Sequence, residues 1–465
     1  MAFDRLVIRP IVFLLPLALT PGPSWAEEAI PGSPSAAPSG SAQATPQDSP
    51  SSPTRTSAAS NPALAELREA VRLRPKDAAV HYDLAVGLLA AHMVPRAASP
   101  SPANPLSPVL ESIQALRTAA RLAPDWRDPR LLLGDTLYRA GDLNGSLNEF
   151  RRLAQEGRPD PRAPLGLAKV LIAKQDWPAA QAALKEAIRL EPTLVEAHYL
   201  LGGVLYSQGR VRPAIDAYRK TLWLKPDFAD AHHQLGLLLK LGNQQKEAVE
   251  AFRRAAEGGL PDAQFLVAQA YKTGNGISAE LSHAIGWWIR ASEQGHAQAW
   301  MALKQLRRLA RAGDLQPATK GATEASKAFA DYRASLWQEV PDLPRTDDQD
   351  SVGLSLLSQA RAAEAVPTLI REALALSESA QAKLEELYEQ GAPEGVPPFD
   401  PRILAYLEKV ATEDILAGKF TLARIYFRGL GVPKDLKRVK VLLKEFPKAE
   451  RVRIWEQFEA EPPVP

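Results

Sequence analysis

Residues 201–226 read LGGVLYSQGRVRPAIDAYRKTLWLKP, and four positions in them decide the architecture. Twelve residues after the Leu201-Gly202 pair stands the small Ala214, four further on stands Tyr218, and after eight more Pro226 closes the stretch. Small residues at Gly202 and Ala214 let two antiparallel helices approach closely, while Leu201, Leu205 and Tyr218 fill the seam between neighbouring hairpins. The proline cannot continue the second helix and so starts a new unit. The same spacing recurs outward in both directions, as Leu235-Gly236, Ala248, Phe252; as Leu167-Ala168, Ala180, Leu184, Pro192; and as Leu133-Gly134, Ser146, Phe150. The closing prolines are Pro75, Pro124, Pro159, Pro192, Pro226 and Pro261, at intervals of 49, 35, 33, 34 and 35 residues. The one long interval holds the Pro-rich stretch MVPRAASPSPANPLSP, so Leu84-Ala85 keeps register with Ser112, Leu116 and Pro124 around a loop insertion. Gly141, Gly209 and Gly242-Asn243 stand where the turn inside each pair needs a positive φ.

These Leu-Gly, Ala, aromatic and Pro positions resemble the tetratricopeptide repeat (TPR) over residues 62–260. Beyond Pro261 the unit changes: DAQFLVAQAYKTGNGISAELSHAIGWWIRASEQGHAQAW pairs an Ala-rich helix with a Tyr271-x-x-Gly274-x-Gly276-Ile277 loop. That resembles the Sel-one-like repeat, a longer-looped relative, assigned here to 261–312 with the helix that follows. A second copy is LARIYFRGLGVPKDLKRVKVLLKEF, with Tyr426, Gly429, Gly431 and Val432, and a degenerate one is LEELYEQGAPEGV, with Leu384, Tyr388, Gly391 and Gly395; together they occupy 377–446. Between them, over 313–376, the pattern blurs into degenerate helical pairs, with LPRTDDQDSVG read as a loop. Residues 447–465 are a capping helix and tail. Sustained alternation with Val, Ile and Thr enrichment is absent, so the expected fold is an all-α, right-handed solenoid of stacked helical hairpins.

The ends and the composition narrow the setting. In residues 1–26, Arg5 and Arg9 precede the apolar run Ile11 to Leu19, and Ser24-Trp25-Ala26 offers a cleavage site, so a signal peptide cut after Ala26 is expected. The run is too short for a membrane span and is interrupted by Pro16. Residues 27–61 are Pro, Ser and Ala-rich, a disordered tether. Export without a single cysteine suits a bacterial periplasm, and the lack of thiols excludes disulfides, thiolate metal sites, a cysteine nucleophile and a lipid-bearing cysteine. Fifty-six Lys and Arg against 54 Asp and Glu favour neither nucleic acid nor a membrane surface.

No catalytic, cofactor or metal residue is expected. His81, His198 and His232 occupy one repeat-equivalent position and read as satisfied core groups, and neither His283 nor His296 has a carboxylate cluster at a telling spacing. Gly274-Asn275-Gly276 lacks the strand and Gly-Lys-Ser/Thr ending of a phosphate loop and reads as a structural turn. Asp347, Asp348 and Asp350 lack the spacing of a calcium loop. Trp287, Trp288 and Trp300 read as inter-repeat core.

What remains is binding. Six before the Gly of each pair, three before, one after and four after lie on one face of the first helix. In TPRs that face lines a concave groove. Here the resemblance places Tyr82, Leu131, Tyr138, Arg162, Lys169, Ile172, Tyr199, Tyr206, His233, Leu237 and Lys240 in it, apolar anchors and tyrosines with cations able to meet carboxylates. The implied function is a non-enzymatic periplasmic scaffold for protein or peptide partners. Exported arrays of this kind also serve exopolysaccharide synthesis and export or envelope assembly, which is the alternative; an enzyme hidden in 313–376 is a third reading. Nothing in the residues supports a polysaccharide ligand.

Overall fold

The computed structural model describes residues 62–93, 107–156, 159–312, 319–343, 351–392, 395–413 and 416–461. The expected signal peptide and tether, most of the insertion and the run Asp347 to Asp350 lie outside these. Among the described residues every regular element is a helix; the remaining pairing is an isolated bridge between Ala392 and Val396. The fold is thus the all-α hairpin solenoid the spacing predicts, and it divides into two compact units, Met1–Lys220 and Thr221–Pro465.

In the first unit α1 (Pro62–Leu73) and α2 (Ala78–Met93) precede α3 (Ser107–Leu122), and three hairpins follow. These are α4 (Asp128–Arg139) with α5 (Leu143–Gln155), α6 (Arg162–Ala173) with α7 (Trp177–Leu190), and α8 (Val195–Ser207) with α9 (Val211–Leu224), the last of which runs through the Lys220/Thr221 boundary. The second unit contains α10 (Ala229–Leu241), α11 (Gln245–Glu257), α12 (Pro261–Thr273), α13 (Leu281–Glu293), α14 (Ala297–Ala312) and α15 (Lys320–Glu339). It continues with α16 (Val352–Ser358), α17 (Ala362–Leu374), α18 (Glu378–Gln390), α19 (Pro401–Val410), α20 (Leu416–Arg428), α21 (Leu436–Leu442) and α22 (Lys448–Ala460).

The hairpin turn is one device repeated every 34 residues. Gly141, Gln175, Gly209 and Asn243 all have positive φ, and in each case the next residue's N–H bonds back to the carbonyl of Leu137, Leu171, Leu205 or Leu239 at 2.9 Å. That bond satisfies a helix-end carbonyl and needs the left-handed residue before it. Gly242, grouped with Asn243 by sequence, has φ −78° as the residue that caps α10; the left-handed position is Asn243 alone. Where the next helix begins, Asp142 and Asp176 accept the N–H groups of Gly145 and Ala179 as caps.

Close approach at the seam is equally literal. A Cβ on Gly202 would meet the Tyr218 ring at 2.7 Å and one on Gly236 the Phe252 ring at 2.7 Å. The Phe150 ring lies against both Gly134 and Gly166. Burying each such ring contributes about 1.5–3 kcal/mol. Ser146, in the small position, adds a 2.7 Å hydrogen bond from its buried hydroxyl to the Gly134 carbonyl.

The blurred stretch contains a regular hairpin. Gly353 stands sixteen residues before Leu369, the spacing of Gly202 to Tyr218, and a Cβ on Gly353 would lie 2.5 Å from Leu369. Ala365 fills the small position, Ala360 is left-handed at φ 59°, and the Arg361 N–H returns to the Leu356 carbonyl at 3.0 Å. Val352 and Gly353, read from sequence as the end of a loop, are therefore the start of α16. Their position is fixed by the Glu372 carboxylate, which is 1% exposed and accepts hydrogen bonds from the Ser351 hydroxyl and the N–H groups of Val352 and Gly353.

The three longer loops share one closure as well. The N–H of Glu280, Phe399 and Asp435 donates to the carbonyl of Tyr271, Tyr388 and Tyr426. The paired glycines Gly274/Gly276, Gly391/Gly395 and Gly429/Gly431 all take positive φ, including those of the degenerate copy.

Long-range ties distinguish the second unit. Arg307 on α14 is fully buried, gives 2.6 and 3.2 Å hydrogen bonds to Glu413, and also reaches the Ala373 and Leu374 carbonyls at the end of α17. Arg311 joins the same carboxylate at 2.7 Å. Lys304 donates to the Thr412 carbonyl and Lys409 to that of Ser292. Cations from α14 and α19 thus meet carbonyls at the negative ends of helices.

Candidate partner-binding face

Along the first unit the first helices of successive hairpins present neighbouring side chains to one another. Tyr82 packs on Trp126 with ring centroids 4.8 Å apart, and the Trp126 indole N–H donates to Asp128 at 3.2 Å. Asp128 takes a 2.9 Å bond from Arg162 of the following hairpin, and Lys169 pairs with Glu196 of the next at 2.8 Å. Tyr199 lies 5.8 Å from Tyr218. Tyr82, Tyr138, Tyr199 and Tyr206 are all half-buried, each with part of its ring toward solvent. Burial raises the hydroxyl pKa of Tyr82 and Tyr138, so both stay neutral, and Lys169 lies near enough to Tyr138 to oppose that rise.

Two expectations change in detail. Leu131 is 8% exposed and packs with Leu147 and Phe150 in the core, so it supports the face from beneath and offers a partner almost no surface. Tyr82, Tyr199 and His233 hold the same register with larger side chains and keep part of their surface accessible. Arg162 and Lys169 already meet carboxylates of their own chain: Arg162 bridges Asp128 and Asp160, and its hydrogen bonds, outweighing burial, hold Asp160 below its ordinary value. Ile172 is half-buried against the core.

In the second unit, His233 is half-buried with its ring 6.0 Å from Phe252, and burial lowers its pKa so that the ring is neutral. Leu237 is half-buried and Lys240 exposed. Lys240 stands at the mouth of a 220 Å³ cavity floored by Phe252 and Val249 and edged by the amides of Gln245, Gln269 and Asn275.

The larger concavity of the second unit was not visible in the sequence. A cleft of 1240 Å³ opens between α14, α15, α18, α20 and α22, with Glu378, Glu385 and Glu389 of α18 facing Arg311, Arg333 and Arg453. Burial pushes the Glu385 carboxyl up, and its partners Gln381 and Thr421 are neutral. The only sequence signal was the acid-rich face of α18; of the arginines lining the cleft, Arg311 lies 67 residues before Glu378 and Arg453 75 after it.

The histidines are structural groups. The Nε2 atoms of His81, His198 and His232 lie 2.9, 3.0 and 2.8 Å from the carbonyls of Pro75, Pro192 and Pro226, one bond repeated three times that ties a closing proline to the next helix. His283 pairs with Glu280, and His296 caps α14 by accepting the Ala299 N–H while its other nitrogen meets Asp262. Trp288 is core at 1% exposure; Trp287 and Trp300 are partly buried, with Arg290 and Lys409 over their rings. At the Gly274 turn, a Cβ on Gly276 would strike the Gln245 carbonyl at 2.6 Å, so that loop is a packing element.

Family comparison agrees with this geometry. Tetratricopeptide-repeat families match residues 165–227 and 229–257, and the Sel1-repeat family matches 261–296 and 418–438. Among similar solved structures, MamA is 28% identical over 33% of this chain and 89% of its own, with a TM-score of 0.31. The protective antigen c5321 of uropathogenic Escherichia coli strains, which displays an SLR fold, is 16% identical over 85% of this chain and 90% of its own, with a TM-score of 0.40. YrrB, a TPR protein with an unusual peptide-binding site, is 17% identical over 44% of this chain and 97% of its own, with a TM-score of 0.34. No curated protein matches the chain.

Proposed function

We propose that this tetratricopeptide-repeat protein with Sel1-like repeats is a non-enzymatic scaffold of the bacterial periplasm that captures an extended peptide or helix of a protein partner on the first-helix face of α2, α4, α6 and α8. Repeats of these families mediate protein–protein interaction, which is the general frame. The observation that carries the specific reading is the row of half-buried tyrosines, Tyr82, Tyr138, Tyr199 and Tyr206, held between partly exposed charge pairs. Tyr gives large, rigid contact area for little lost side-chain entropy. The Arg162–Asp128 and Lys169–Glu196 pairs are solvent-facing and individually worth about 0–1 kcal/mol, so exchanging them for a partner's charges costs little.

Recovery of partners from envelope extract by wild type and by Tyr199→Ala/Tyr206→Ala tests the face. The expected outcome is loss of specific partners from the variant with its helical circular dichroism unchanged; equal recovery would count against the face. The periplasmic part of the reading rests on residues 1–26, and N-terminal sequencing of the protein made in a bacterial host should find Glu27 first.

A further inference from the structure

The near-zero net charge of the whole chain conceals a strongly polar distribution. Residues 434–453, KDLKRVKVLLKEFPKAERVR, contain eight Lys and Arg and three Asp and Glu, a net of +5, which leaves −3 for the rest of a +2 chain. The three carboxylates do little to offset the cations. Asp435 caps α21 by accepting the N–H groups of Lys437 and Arg438, Glu445 pairs with Lys419, and Glu450 lies at the edge of the α18 cleft. Arg438 is turned away onto Glu408 and the Tyr426 ring. Lys434, Lys437, Lys440, Lys444 and Lys448 are all exposed, and no carboxylate among the described residues pairs with them. Some exposed arginines elsewhere are matched within one helical turn, as Arg189 is by Glu186 and Arg254 by Glu250.

Geometry arranges these cations on one side. Lys437, Lys440, Val441 and Lys444 follow i, i+3, i+4, i+7 spacing along α21 and the turn after it, opposite the buried Val439, Leu443 and Phe446. One aliphatic group stands among them, Val441, which is 70% exposed.

We propose that this face of α21 docks onto an anionic lipid surface. Unpaired lysines supply attraction to a diffuse negative field, and the exposed Val441 between them enters the boundary between headgroups and acyl chains. A nucleic-acid ligand fits less well, since the groups between the cations are aliphatic and give bases nothing to stack on. Lysine, a point charge on a flexible stem, also suits a fluid array of headgroups better than the bidentate geometry of a fixed phosphate or carboxylate, for which arginine is the better residue. The surface lies on the opposite side of α21 from its core packing, so docking needs no rearrangement.

Flotation of the full chain with vesicles of phosphatidylcholine alone or mixed with phosphatidylglycerol, at low and high salt, tests the proposal. Wild type should float with the anionic vesicles at low salt only. At about fivefold per lysine, Lys437→Gln/Lys440→Gln/Lys444→Gln should bind roughly 100-fold more weakly with an unchanged circular-dichroism spectrum. Val441→Ser should weaken binding while leaving its salt dependence in place. Equal flotation with neutral vesicles, failure of the wild type to float, or full binding by the triple lysine variant would each overturn it. So would capture of a soluble acidic polypeptide by this face without vesicle binding.

Discussion

The hairpins of α4 to α7 and the helices from α14 to α20 are built from the same seam and held together in different ways. In the first region the contacts stay within a hairpin or reach the adjacent one: Phe150 lies between Gly134 of its own hairpin and Gly166 of the next, and Arg162 meets Asp128 34 residues back. In the second, Arg307 and Lys409 reach groups 106 and 117 residues away, and a buried cation sits where three helices converge. The first arrangement is modular, so stability is a sum of neighbour terms. The second makes distant helices depend on one another and frames a cleft that no single repeat could enclose.

The contrast is broken most severely at Arg307. Arg307→Met leaves the buried Glu413 without its main counter-charge and should cost about 3–5 kcal/mol in chemical unfolding, whereas Arg307→Met/Glu413→Leu should recover most of the loss. No residue of the first unit has an equivalent buried charge pair to test in this way among the described residues; its nearest analogue, Arg130 with Glu156, has its carboxylate 28% exposed. A smaller effect tests what the regions share. Gly353→Val forces a branched side chain against Leu369 and its backbone N, and should lose about 1–3 kcal/mol, as Gly202→Val should against Tyr218. If Gly353→Val is neutral, α16 and α17 do not form the same seam.

Gain is expected at the turns. Gln175 and Ala360 take the left-handed conformation that glycine occupies at 141 and 209, so Gln175→Gly and Ala360→Gly should each stabilise by about 1 kcal/mol by thermal unfolding. The smallest change concerns His233. Burial lowers its pKa, so below about 6.5 the unfolded chain takes up a proton that the folded chain refuses, and stability declines as pH falls toward the folded value. His233→Phe should remove that decline without altering stability above pH ~7.

Much of this was legible in the chain. The Gly-to-aromatic spacing gave the hairpins from Leu133 to Phe252, and the paired glycines marked all three longer loops, because both signals come from local sterics. The α16–α17 hairpin escaped because Val352-Gly353 follows a run of acids, Leu369 replaces an aromatic, and Ser377 stands where a closing Pro would. Nothing in the sequence marks Arg307 out from the other cations of α14, since its partners lie 66 to 106 residues on. Leu131 was placed on the binding face by a spacing rule that does not distinguish a groove from the seam beneath it. The lysine face was lost in an average, because its charge is cancelled in the total by acids elsewhere.

The most direct test of the central claim is site-specific photo-crosslinking from two positions of the first unit, Tyr206 on the first-helix face and Arg189 on the exposed side of α7. The tyrosine face as a capture surface predicts a discrete polypeptide adduct from position 206 and none from 189. Adducts from both positions alike, or from 189 only, would contradict it.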